Sequence, residues 1–128
     1  ALVVDVTFAS DYPGTDPEST GEIKLGAGPV LCNSSIVNNK INSLLKETAS
    51  GLNMSLQFEA APGRTGTDAD RIHFVNEGIP LALVSIPLRY MHSPNEMVDL
   101  KDIEQIIELL AHFMLSIHED TSYSPFDM

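Results

Sequence analysis

The sequence predicts a three-layer α/β domain built on a largely parallel β-sheet. Two short, nearly continuous apolar runs, ALVVDVTFA at residues 1–9 and IPLALVSIPL at 79–88, have the composition of strands buried on both faces. Segments of strand character alternate with segments of helical periodicity, the order expected when helices pack on a mostly parallel sheet. With 128 residues, 43% of them hydrophobic, the chain can close one core and is short for two. One domain over residues 1–118 is expected, followed by a tail at 119–128.

In the first strand, Val3, Val4 and Val6 surround Asp5, the only charge of the run. Residues 10–21, SDYPGTDPESTG, are dense in Pro, Gly, Asp, Ser and Thr and predict a surface loop, long enough to suggest function or contact. Short extended pieces are expected at 22–25 and 29–33, around the turn Gly26-Ala27-Gly28. The spacing predicts a helix over 36–49, with Ser34 or Ser35 as N-cap and Gly51 as its stop signal. A strand at 53–60 alternates Met54, Leu56 and Phe58 with polar residues. Thr67 and Asp70 stand as N-cap and N3 of a second helix that ends before Gly78. Residues 79–88 read as a central strand with Pro80 and Pro87 at its ends. In the last helix Ile103, Ile106, Ile107, Leu110, Phe113, Met114 and Ile117 recur at helical spacing behind the cap Asp99.

Composition narrows the function. A formal net charge of −11, from 18 acidic against 7 basic residues, opposes the attraction to phosphate on which nucleic-acid and anionic-membrane binders depend. No apolar run approaches the roughly 18 residues of a membrane span, so a soluble protein is expected, with no nucleic-acid or membrane partner. Cys32 is the only cysteine, which excludes an intrachain disulfide and a Cys-based zinc cluster and suits a reducing cytoplasm. The chain opens at Ala1 directly on a strand-like run, as a piece of a longer protein or one that has lost its initiator Met does.

A carboxylate among valines costs several kcal/mol unless compensated, so Asp5 needs a partner, either a metal or an Arg. His92 follows the second buried strand in RYMHSP, and if the two strands run parallel, both residues approach the carboxyl ends where open α/β sheets collect ligands. Carboxylate and imidazole suit Zn²⁺ or Co²⁺, yet a catalytic zinc takes three protein ligands. His73, His112 and His118 lie in helical segments as packing or surface residues. Asp68, after a Gly-rich turn, either complements a helix dipole or reaches into a cleft. Arg89 is the basic residue expected to form an ion pair or touch substrate. No G-x-S-x-G elbow occurs, and Cys32 has no His at a suggestive position, so nucleophilic catalysis has little support.

VDVTFASDYPG, LGAGP, GRTGTDADRIHF, GIPLALVSIPLRYMHSP and EMVDLKDIE, in this order, resemble the tetrahedral aminopeptidase family. These are dinuclear metallo-aminopeptidases, glutamyl and deblocking enzymes among them, some of which have been labelled endoglucanases. The likeness covers nearly the whole chain up to the last helix. It implies a zinc-exopeptidase-like domain, incomplete at its N-terminal side, and makes Asp5 and His92 ligands of two different metal ions, Zn or Co. Thr67, Asp68 and Arg89 become candidate substrate contacts. The family's His ligand, bridging Asp and Glu-Glu pair, which supply the general base and further ligands, precede the VDVT strand and match nothing here, so no catalytic residue is assigned. The parent is then expected to be a cytoplasmic, oligomeric exopeptidase acting on peptides, and this chain alone to be inactive and to hold little or no metal. The competing readings are a non-catalytic α/β binding or assembly module and, more remotely, a glycosidase with paired carboxylates.

Overall fold

The computed structural model describes residues 1–124 and 126. Within them lie strands β1 (Leu2–Phe8), β2 (Val30–Ser34), β3 (Gln57–Ala61) and β4 (Ala82–Leu88), in the sheet order β1-β4-β2-β3. β4 runs parallel to β1 along its whole length, with Leu2 opposite Ala82 and Phe8 opposite Leu88. β2 and β3 are also parallel to each other, while β2 meets β4 in a short antiparallel contact at Val84 and Ser85. The expected largely parallel sheet is present, as two parallel pairs joined by an antiparallel seam. The carboxyl ends of β1 and β4 therefore share one edge, and those of β2 and β3 lie at the other.

Side chains alternate across the sheet as the pleat requires, so Leu2 and Val3 enter different cores. On one face, α2 (Asn39–Gly51) and α4 (Leu100–Leu115) set Ile41, Leu45, Ile106, Leu109 and Phe113 against Leu31, Ala82 and Val84. On the other, Val3, Cys32, Leu81 and Leu83 are covered by Val37 and by Ala69 of the single-turn helix α3 (Ala69–Ile72). Three layers result, the second helical one thin. A further single turn, α1 (Pro17–Thr20), lies in the loop after β1.

Several boundaries move for identifiable reasons. α2 begins at Asn39, capped by Asn38, whose Oδ1 accepts from the Ile41 amide at 3.1 Å. Ser34 instead ends β2, and Ile36 and Val37, which extend the apolar pattern backwards, pack in the opposite layer. Residues 22–25 form no strand, although Ile23 bonds to Ser10 through both its amide and its carbonyl. β3 starts only at Gln57, after Asn53 turns the chain with φ +52°. The expected second helix shrinks to one turn, because Asp70 reaches past Thr67 to accept from the Thr65 and Gly66 amides, at 2.9 and 3.0 Å. Pro87 stands inside β4 rather than at its end, at a point where β4 pairs with β1 alone.

Asp102 joins the layers. Fully buried in the first turn of α4, its carboxylate accepts from the Gly26 and Gly28 amides at 2.8 and 2.9 Å. Gly28 is required there, since its φ is +104° and a Cβ would lie 2.2 Å from the Ser55 carbonyl oxygen. Beyond α4 the chain returns to α2, where the Asn38 amide group donates to the Tyr123 carbonyl at 2.8 Å. Among the described residues no helix is long and apolar enough to cross a membrane.

Candidate functional site

Asp5 occupies the middle of β1, opposite Ser85, and not the late position expected from the sequence. It shares the α3 side of the sheet with Val3 and Thr7, because alternate residues share a face. Its carboxylate is half-buried, and Oδ1 accepts from the Val6 amide at 2.7 Å. The ion pairs among the described residues are Lys24–Glu22 and Arg89–Asp11, so no Arg or Lys answers the charge of Asp5.

The strand adjoining β1 leads to His92. β1 and β4 are parallel, as the convergence of the two residues required, and His92 lies just beyond the carboxyl end of β4. Its side chain is exposed, and its amide donates to Glu96 Oε1 at 2.7 Å. His92 and Tyr90 adopt φ values of +63° and +62°. Left-handed conformations outside glycine each cost about 1–3 kcal/mol and persist where the surroundings over-determine them. Here the surroundings are specific. Arg89 and Met97 exchange backbone hydrogen bonds of 2.9 and 3.1 Å that close the loop. The Arg89 guanidinium grips Asp11 in a bidentate pair, Nε to Oδ1 and Nη2 to Oδ2, both at 2.7 Å. That bond holds the Asp11 carboxyl below its ordinary range and raises Arg89 further above its own. The ion pair was one of the two roles expected of Arg89.

Glu59 on β3 is a polar feature that its strand pattern conceals. Its carboxylate accepts from the Thr7 hydroxyl, and from the Ser85 hydroxyl at 3.4 Å, tying β3 to β1 and β4. Burial, reinforced by the negative charges of Glu59 and Asp70, pushes the Cys32 thiol up to about 12. Cys32 is thus a protonated core residue at neutral pH and not a nucleophile.

Thr67 and Asp68 follow β3, whose carboxyl end is at the opposite edge of the sheet from those of β1 and β4. Thr67 Oγ1 accepts from the Ala69 amide at 3.2 Å, while Asp68 is exposed and caps α3 through its backbone carbonyl. His73 stacks edge-on against Phe74, and His112 Nδ1 lies 2.9 Å from the Glu108 carbonyl oxygen, the packing and surface roles expected of them. A divalent ion fits the chemistry of Asp5 and His92, one carboxylate without a cationic partner and one exposed imidazole at adjacent strands. No group of three His, Cys, Asp or Glu side chains suited to a metal occurs among the described residues.

Residues 1–109 match the family of M42 glutamyl aminopeptidases. The chain belongs to that family. Lysyl aminopeptidase of Pyrococcus furiosus is 38% identical over 110 residues, which cover 84% of this chain and 30% of that protein. The TET aminopeptidase of a marine-sediment Thaumarchaeota archaeon superposes with a TM-score of 0.84 at 31% identity, over 93% of this chain and 33% of that one. An aminopeptidase of Desulfurococcus kamchatkensis gives 0.76 at 33% identity, over 95% and 34%. This M42 chain thus spans about a third of the length of the relatives it matches.

Proposed function

We propose that Asp5 and His92 are metal ligands, each to one of two divalent ions, in an M42 site that removes N-terminal residues from peptides. The observation that carries this reading is the half-buried Asp5 carboxylate, without a cationic partner, on the strand parallel to the one leading to His92. Family membership supports the same assignment. Bound Zn²⁺ or Co²⁺ supplies Lewis-acid polarisation of the scissile carbonyl. The chain's own part is to hold one carboxylate in the middle of β1 and one imidazole just beyond the carboxyl end of the parallel β4. Thr67 and Asp68 contribute to peptide binding, and Arg89 does so through the loop it anchors.

This chain carries no assigned general base, so hydrolysis needs groups beyond those described here, and the isolated chain is inactive. Within a protein of the relatives' length, it works as part of a homo-oligomeric peptidase in the cytoplasm. The test is hydrolysis of aminoacyl-nitroanilides by the longest reading frame containing this chain, before and after chelation. The reading expects activity that chelation abolishes and added Zn²⁺ or Co²⁺ restores, with none from the 128-residue chain. Chelation-resistant activity, or full activity of the short chain, contradicts it.

A further inference from the structure

We propose that the Asp11–Arg89 pair is a positioning latch that sets His92 relative to Asp5. The inference rests on the reading of His92 as a metal ligand. Asp11 lies in the loop that leaves β1, the strand of Asp5, and Arg89 is the first residue after β4, on the way to His92. The contact is doubled. Asp11 receives both arms of the Arg89 fork at 2.7 Å, and its neighbour Tyr12 packs edge-on against Tyr90, with ring centroids 4.9 Å apart. Two consecutive residues of one loop thus hold two consecutive residues of the other, which fixes direction as well as separation.

The rest of the loop is braced against this point. Arg89 and Met97 close it through the backbone, Glu96 holds the His92 amide, and the left-handed Tyr90 and His92 give the loop a shape that the chain does not adopt unaided. Asp11 is anchored in turn, since its Oδ2 also accepts from the Leu25 amide at 3.0 Å, next to the Gly26 that Asp102 binds. The latch therefore runs from α4 through residues 25–26 to the His92 loop. The pair is largely shielded, with side-chain exposures of 27% for Arg89 and 13% for Asp11. The planar fork matters in this role, because an ammonium offers a point charge without the paired, directional bonds.

The experiment titrates paramagnetic Co²⁺ into the 128-residue chain and follows the His92 ring, Asp5 and the amides of β1 and β4 by NMR. Broadening registers weak occupancy, which suits a chain with too few ligands for tight binding. In the wild type, Co²⁺ is expected to broaden His92 and Asp5 selectively. Arg89→Met and Asp11→Asn are each expected to weaken the response of His92 about tenfold or more, the size of effect seen when groups supporting a metal ligand are removed. The β1 and β4 amides should keep their shifts, and Arg89→Lys should remain weakened. Wild-type affinity at His92 in a folded Arg89→Met or Asp11→Asn variant overturns the latch and leaves the ligand reading intact. Should Arg89→Met fail to fold, Asp11→Asn decides alone, and unchanged Co²⁺ binding there has the same meaning. If the wild-type chain alone holds too little Co²⁺ to broaden His92, the metal content of the longest reading frame containing this chain decides: undiminished metal in its Arg89→Met or Asp11→Asn variant overturns the latch, and undiminished metal in its Asp5→Ala and His92→Ala variants overturns the ligand reading and the latch with it.

Discussion

Removing the Asp102 carboxylate leaves the buried amide of Gly28 and the part-buried amide of Gly26 without their acceptor. Asp102→Ala is therefore expected to lower the unfolding free energy by about 2–4 kcal/mol, read from chemical denaturation of the folded chain. Asp11 makes a prediction about pH. Its native pKa lies below the ordinary 3.8, chiefly because of the Arg89 hydrogen bond, so the native state binds this proton less readily than the unfolded state does. The stabilisation is then complete above about pH 4 and lost as pH falls through the lower native value. Asp11→Asn should flatten the acid limb of the stability profile below about pH 4 and leave its shape at neutral pH unchanged. An acid limb as steep as the wild type's contradicts this. Asp5 was legible as an anomaly, the one charge inside an apolar run, with its partner left open between a metal and an Arg. Asp11, Glu59 and Asp102 were not, because a loop, an alternating strand and a helix's first turn all accept an acid as a solvated residue. Their partners lie 78, 52 and 74 residues away, beyond the reach of local pattern.

At the scale of elements, periodicity located α4 well and told only part of which residues it buries. Leu109 is fully buried against the sheet, whereas Ile107, on the expected apolar list, is 63% exposed. Leu109→Ala should cost about 2–5 kcal/mol in denaturant-measured stability, and Ile107→Gln less than about 0.5 kcal/mol in this chain. Equal losses at the two positions count against the described packing. The start of α2 was misread for a related reason, since Ile36 and Val37 continue the apolar pattern yet belong to the layer on the other side of the sheet. A one-dimensional pattern cannot assign apolar residues to layers. The same limit hid the shortness of α3, where Asp70 spends its hydrogen bonds on Thr65 and Gly66. The strands were located better, although β1, expected to be buried on both faces, is an edge strand that exposes Val4 and Phe8.

For the whole molecule, strand–helix alternation indicated an α/β sheet, but the antiparallel seam between β2 and β4 depends on how the two parallel pairs meet, which no local signal encodes. That seam leaves the carboxyl ends of β1 and β4, with the loop that carries His92, at one edge and sends Thr67 and Asp68 out from the other. The exposed apolar residues Val4, Phe8, Leu100 and Met114 lie on a chain that covers only about a third of its relatives' length. The central claim is that β1 and β4 each deliver one ligand to a different metal ion. Its most direct test is the metal content, by mass spectrometry, of the longest reading frame containing this chain, as wild type, Asp5→Ala and His92→Ala. The account predicts two ions per chain in the wild type and the loss of one in each variant, with the fold retained. Full metal occupancy in either variant contradicts it.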